Sequence, residues 1–204
     1  MNLPTGEHLP GRAYLHGREL EDLAVSFLVL VLLFSNFDPY DIPYVLVAVL
    51  TAFIFHELAH REVARRYGYI AFYKRWDTGI ALALLIGIFT KLLTGNTWIF
   101  AALGAVHIYA PYQYWYDKEA YGKIGLAGPL TNIAVGIVAI VLMRLLTPFT
   151  IPWYVLRVTA GVNLWLAFFN LLPVPPLDGW KVLRWNTGYW AIAIGVAYLL
   201  RAFI

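Results

Sequence analysis

The sequence contains no cysteine. That excludes a disulfide framework, thiol catalysis and any Cys-ligated zinc or iron–sulfur centre, so metal ligands must come from His, Asp or Glu. Charge is scarce too: Asp, Glu, Lys and Arg make up 13% of the 204 residues, against about 25% in soluble domains. Hydrophobic residues reach 61%, against roughly 45–50%. A soluble globule of this size exposes a large surface, and 15 basic and 12 acidic side chains cannot cover it. An ordinary soluble domain, a disordered chain and a coiled coil are excluded, and an all-α integral membrane protein remains. The basic residues form no stripe, so no nucleic-acid partner is expected. The sequence also lacks a Ser/Gly-rich linker, a low-complexity tract and a 20–50-residue repeat, so residues 1–204 read as one membrane-embedded domain.

Apolar runs lie at about 23–37, 44–67, 79–93, 98–109, 124–146, 153–172 and 187–203, with Pro39, Pro43, Pro111, Pro148 and Pro152 in the gaps. They predict a polytopic bundle of about six transmembrane helices, five to seven in all. Residues 1–22, with Glu7, Arg12, Arg18, Glu19, Glu21 and Asp22, have no apolar core ahead of a cleavage site and read as a polar leader. With the N-terminus placed in the cytoplasm, eleven of the fifteen Lys and Arg fall on the inside, among them Arg61, Arg65, Arg66, Lys74, Arg75, Lys118 and Lys123. Arg75 and Lys118 then share a side, so the chain between them crosses twice or not at all. Whether run 98–109 crosses is left open by the sequence, since 12 residues of helix rise only about 18 Å. It contains the β-like string Ala105–Tyr109 beside Gly104, so a short β or re-entrant segment is the alternative near 98–110.

Ionisable residues at membrane depth are costly and mark function. The second run holds His56, Glu57 and His60. Positions i and i+4 share a helical face, so two imidazoles one turn apart can bind one zinc ion. Glu57 lies only about 60° round the helix from His60 and can take a proton from water beside the metal. Catalytic zinc usually takes a third protein ligand. Asp178 stands in the string Asn170-Leu-Leu-Pro-Val-Pro-Pro-Leu-Asp178-Gly179, at the same membrane end as the His pair. Three prolines in four positions end the helix there, and Gly179 lets the chain turn after the Asp. His107 is the rival third ligand.

These strings, together with Gly128-Pro129-Leu130-Thr131-Asn132, resemble the site-2 protease family of intramembrane zinc metalloproteases over a core of about residues 44–184. The resemblance implies one catalytic zinc on His56, His60 and Asp178, with Glu57 as the base that activates water. It points to Asn170, and to Asn132, as substrate-binding residues. The implied reaction is hydrolysis of peptide bonds within or next to transmembrane segments of membrane proteins, as in regulated intramembrane proteolysis. The expected partners are a transmembrane substrate and the lipid bilayer, and the expected location is the cell membrane of a prokaryote, with the active-site end cytoplasmic. The insert at 78–110 departs from the simplest family core, and it or the first span is placed to gate access from lipid. The runner-up reading is a membrane metal-ion transporter or carrier, since intramembrane His and Asp also mark ion paths.

Overall fold

A computed structural model describes residues 12–109 and 117–204. Residues 1–11 of the expected leader, and Pro111, lie outside the described residues. Among the described residues, eight α-helices and one two-stranded sheet follow in the order α1 (Arg12–Phe34), α2 (Ile42–Val49), α3 (Phe55–Arg66), β1 (Ile70–Arg75), α4 (Asp77–Thr94), β2 (Gly104–Tyr109), α5 (Lys118–Arg144), α6 (Ile151–Asn170), α7 (Asp178–Trp185) and α8 (Thr187–Leu200). Among the described residues, three helical stretches are long and apolar enough to cross a membrane: Ile42–Arg66, Asp77–Thr94 and Lys118–Arg144. The expected count of about six is not reached on length and composition. Helix α1 carries Arg18, Glu19, Glu21 and Asp22, α6 is diluted by Arg157, Asn163 and Asn170, and α8 is short.

Part of the expected leader is already helix, because its charges are paired across the fold. Glu19 is buried; its carboxylate accepts the backbone N–H of Tyr73 at 3.0 Å and meets the Arg61 guanidinium at 3.3 Å. Arg75 pairs with Glu21, Asp22 and Asp77. The polar start of α1 is thus a bracket holding β1 and α3. Glu19→Ala strands the Tyr73 N–H and Arg61, at a cost of about 2 kcal/mol; a lowered thermal midpoint in detergent checks it.

Helices α2 and α3 are one rod joined by a π-turn at Leu50–Ile54. The buried residues Ala48, Ala52, His56, His60 and Ala64 run along it in four-residue steps. Each such step overshoots an α-helical turn by about 40°. The wider π-turn winds against that drift and keeps the stripe on one side, so the His pair faces the same core as the apolar residues before it. Single π-turns often accompany functional sites. Thr51 holds the turn, back-bonding to Val47 and Ala48 and accepting from Asn163 Nδ2 of α6 at 3.0 Å.

The insert resolves into a helix and an extended return. Asn36, at the end of α1, binds Gly95 and Thr97, and Lys91 bonds back to the Asn36 carbonyl. At the far end the Trp76 N–H donates to Leu103 O at 2.7 Å. Helix α4 rises about 27 Å over its 18 residues, and eight extended residues, 96–103, reach about 26 Å. The segment therefore returns beside α4 to the end where that helix began, without a second helix. Non-helical backbone at this depth needs protein or a cavity around it. Ile99, Phe100 and Ala101 pack on the core formed by Leu30, Leu33, Val49 and Leu166, and Leu103 is part of that core. Strand β2 then pairs antiparallel with β1, Phe72 opposite His107 and Lys74 opposite Ala105.

Candidate metal centre

Helix α3 supplies His56 and His60, each only 4% exposed, and the first residue of α7 supplies Asp178, 7% exposed. The loop 171–177 brings them together, because Pro173, Pro175 and Pro176 stop α6 and α7 restarts at Asp178. Gly179 has a different task from the turn expected of it. It lies in α7 with no left-handed backbone, and a Cβ there would sit 2.1 Å from Leu171 O. Its bareness lets the start of α7 close on the end of α6.

The three donor atoms face one another. His56 Nε2 and His60 Nε2 are 2.9 Å apart, and Asp178 Oδ2 lies 3.3 Å from the first and 2.9 Å from the second. His60 Nδ1 is 2.6 Å from the backbone carbonyl of Ile124 in α5. A carbonyl only accepts, so Nδ1 carries the proton and the Nε2 lone pair points at the other two donors. Pro129 lacks the N–H that would bind the Gly125 carbonyl one turn back, the carbonyl next to that of Ile124. Converging lone pairs and a carboxylate oxygen repel each other unless a cation sits among them. Two imidazoles and one carboxylate are a donor set suited to zinc. The residues present therefore fit one zinc ion.

Space for the set comes from Gly128. A Cβ at this position would lie 2.5 Å from His60 Nε2 and 2.6 Å from His56 Nε2. Helix α5 can approach the imidazoles only because this residue has no side chain.

A cavity of about 630 Å³ opens onto the donors. Glu57 lines it beside His56 and His60, and its Oε2 is buried without a hydrogen-bond partner among the described residues. Asn170, at the end of α6, also lines the cavity and donates from Nδ2 to Leu166 O at 3.0 Å. The opposite wall is the return segment and β2, from Ala101 to Ile108. His107 is on that wall, exposed and stacked on Phe72 with ring centroids 6.0 Å apart, and is not one of the three clustered donors. Asn132 is fully buried one turn beyond Gly128, with neither amide atom partnered among the described residues, and it does not line the cavity. Two contributors were not singled out from the sequence. The Ile124 carbonyl carries no side-chain signal, and Gly128 stood in a recognised string without its steric role being visible.

A protein of Methanocaldococcus jannaschii provisionally named zinc metalloprotease MJ0611 is 44% identical over 177 residues, covering 86% of this chain and 88% of the relative. Zinc metalloprotease MJ0392 of the same organism is 29% identical over 81% of this chain and 41% of its own length. Rip3 of Mycobacterium tuberculosis, also provisionally named a zinc metalloprotease, is 32% identical over 68% of this chain and 29% of its own length. No family model and no solved structure matches the chain.

Proposed function

The chain belongs to the site-2 protease family of zinc metalloproteases, and from that premise we propose that it cleaves peptide bonds within or beside transmembrane segments of other membrane proteins. One observation carries the reading: among the described residues, a His–His–Asp donor set and the Glu57 carboxylate, whose Oε2 has no hydrogen-bond partner there, share one cavity beside three membrane-length helical stretches. His56, His60 and Asp178 would hold a zinc ion, which when bound would supply a Lewis acid for the scissile carbonyl and lower the pKa of water. Glu57 Oε2 accepts the proton of the attacking water and delivers it to the leaving amine. A helical substrate keeps its carbonyls in internal bonds, so it must unwind to be cut. Asn170 on the cavity wall can then hold its exposed backbone through the side-chain amide. Asn132, fully buried one turn beyond Gly128, is the second amide that the family resemblance points to.

Several basic residues cluster at one end of the bundle, with Arg61, Arg65, Arg66, Lys74 and Arg75 close along the chain beside the site, which supports a cytoplasmic active-site end in a prokaryotic cell membrane. The carrier reading calls for further donors along a path, and a single group of three clusters among the described residues.

The test uses the whole chain purified in detergent. A chelator is expected to strip about one zinc per chain and abolish cleavage of a transmembrane peptide, and one equivalent of zinc restores both. Cleavage that survives complete removal of the metal overturns the proposal. Zinc uptake into liposomes carrying the chain, without peptide cleavage, would move the reading to the carrier.

A further inference from the structure

Asp178 has two oxygens and only one of them faces the imidazoles. Oδ2 is the atom within 2.9–3.3 Å of His60 and His56, while Oδ1 accepts from Lys181 Nζ at 2.8 Å. Lys181 lies one turn further along α7, lines the same cavity and is about a quarter exposed. Its stem is laid across α5: a Cβ on Gly125 would meet Lys181 Cβ at 3.1 Å and Cδ at 3.3 Å. The ammonium is therefore not swinging in solvent. It is held by packing on one side and by the carboxylate on the other.

Resting on the zinc site described above, we propose that Lys181 is a positioning residue for the metal. It occupies Oδ1, turns Oδ2 toward the two imidazoles, and keeps Asp178 a one-oxygen ligand. A carboxylate that is free to rotate can offer both oxygens or neither to a metal. Fixing it has a consequence for catalysis, because a second oxygen would fill the position that the attacking water needs. The same ammonium offsets negative charge where Glu57 and Asp178 share one wall. Two effects of Lys181 oppose each other. Its charge draws electron density from the carboxylate and weakens it as a donor. Its hydrogen bond orders the carboxylate, and partners of metal-ligating side chains typically contribute about 10- to 100-fold in affinity or activity. Orientation wins in this geometry, because Asp178 opens a helix after a proline-rich loop and, among the described residues, Lys181 is the side chain that bonds its second oxygen.

The experiment measures zinc affinity by chelator competition for the full chain and for Lys181→Met, Lys181→Arg and His56→Ala, with cobalt-substituted spectra alongside. Lys181→Met keeps the stem and loses the donor. It is expected to bind zinc about 10-fold or more weakly, and its cobalt form to show the weaker visible absorption of a five-coordinate ion. Lys181→Arg is expected to stay within about threefold of wild type, since a guanidinium also bonds a carboxylate. Unchanged thermal midpoints in detergent for both variants separate positioning from folding. Wild-type zinc affinity and an unchanged cobalt spectrum in Lys181→Met overturn the inference. His56→Ala reports separately on the site: if it alone loses zinc, the site stands and the role of Lys181 falls, and if it binds zinc normally, the site itself is misplaced.

Discussion

Glu57→Gln is expected to retain about one zinc per chain and to cleave a transmembrane peptide about 10²–10⁴-fold more slowly, the range that a positioned general base contributes. The amide is nearly isosteric with the carboxylate, so packing against the rod and the return segment is preserved. What it loses is the ability to accept a proton. Glu57 is not among the three clustered donors, and its Oε2 is bound to nothing among the described residues. Zinc binding and catalysis should therefore separate at this position and at none of His56, His60 or Asp178. Glu57→Asp sharpens the test: it keeps the base but withdraws it by one methylene, and should fall between the two. Metal content measured beside single-turnover rates checks the result. A Gln variant that cuts at the wild-type rate would remove Glu57 from the mechanism, while one that has lost zinc would make it a ligand.

How much of this was legible beforehand differs from element to element. His56, His60 and Asp178 were readable because residue type, spacing and depth all pointed the same way, and charge is rare enough in this chain for each ionisable group to stand out. The start of α1 was not. Its charges resemble those of a solvated leader, and their partners Arg61, Tyr73 and Arg75 lie more than 40 residues away in sequence. Run 98–109 could be read only as an ambiguity, since periodicity does not distinguish a short apolar strand from a short apolar helix. What resolved it was length: α4 needs a return path of its own height, and eight extended residues supply that. The sheet followed, because Ala105–Tyr109 already had β-like composition and needed only β1 to pair with.

Gly128 lies furthest from what a sequence can show, and it carries the second large expected effect. Gly128→Ala puts a methyl 2.5 Å from His60 Nε2, 2.6 Å from His56 Nε2 and 2.7 Å from His56 Cδ2. Atoms cannot remain at those separations. The rings cannot move away freely either, since His60 is held to the Ile124 carbonyl on the same helix as the new methyl. Either that bond breaks, or α5 backs away from α3; in both cases the donor atoms leave the common centre by about an ångström. A misplacement of that size costs on the order of 10²-fold in rate, and Gly128→Val should bind no measurable zinc. The fold should survive, because one lost hydrogen bond costs only about 1 kcal/mol. Gly161→Ala in α6 is the control. A Cβ there meets nothing within 4 Å, and replacing a mid-helix glycine by alanine adds about 1 kcal/mol of helix stability. Both variants make the same chemical change in a helix of the same bundle, so a generic intolerance of added bulk predicts that they fail together. The contact geometry predicts that Gly161→Ala keeps its zinc and its rate, and that Gly128→Ala binds zinc more weakly and cleaves on the order of 10²-fold more slowly, while its thermal midpoint in detergent shifts by only a few degrees.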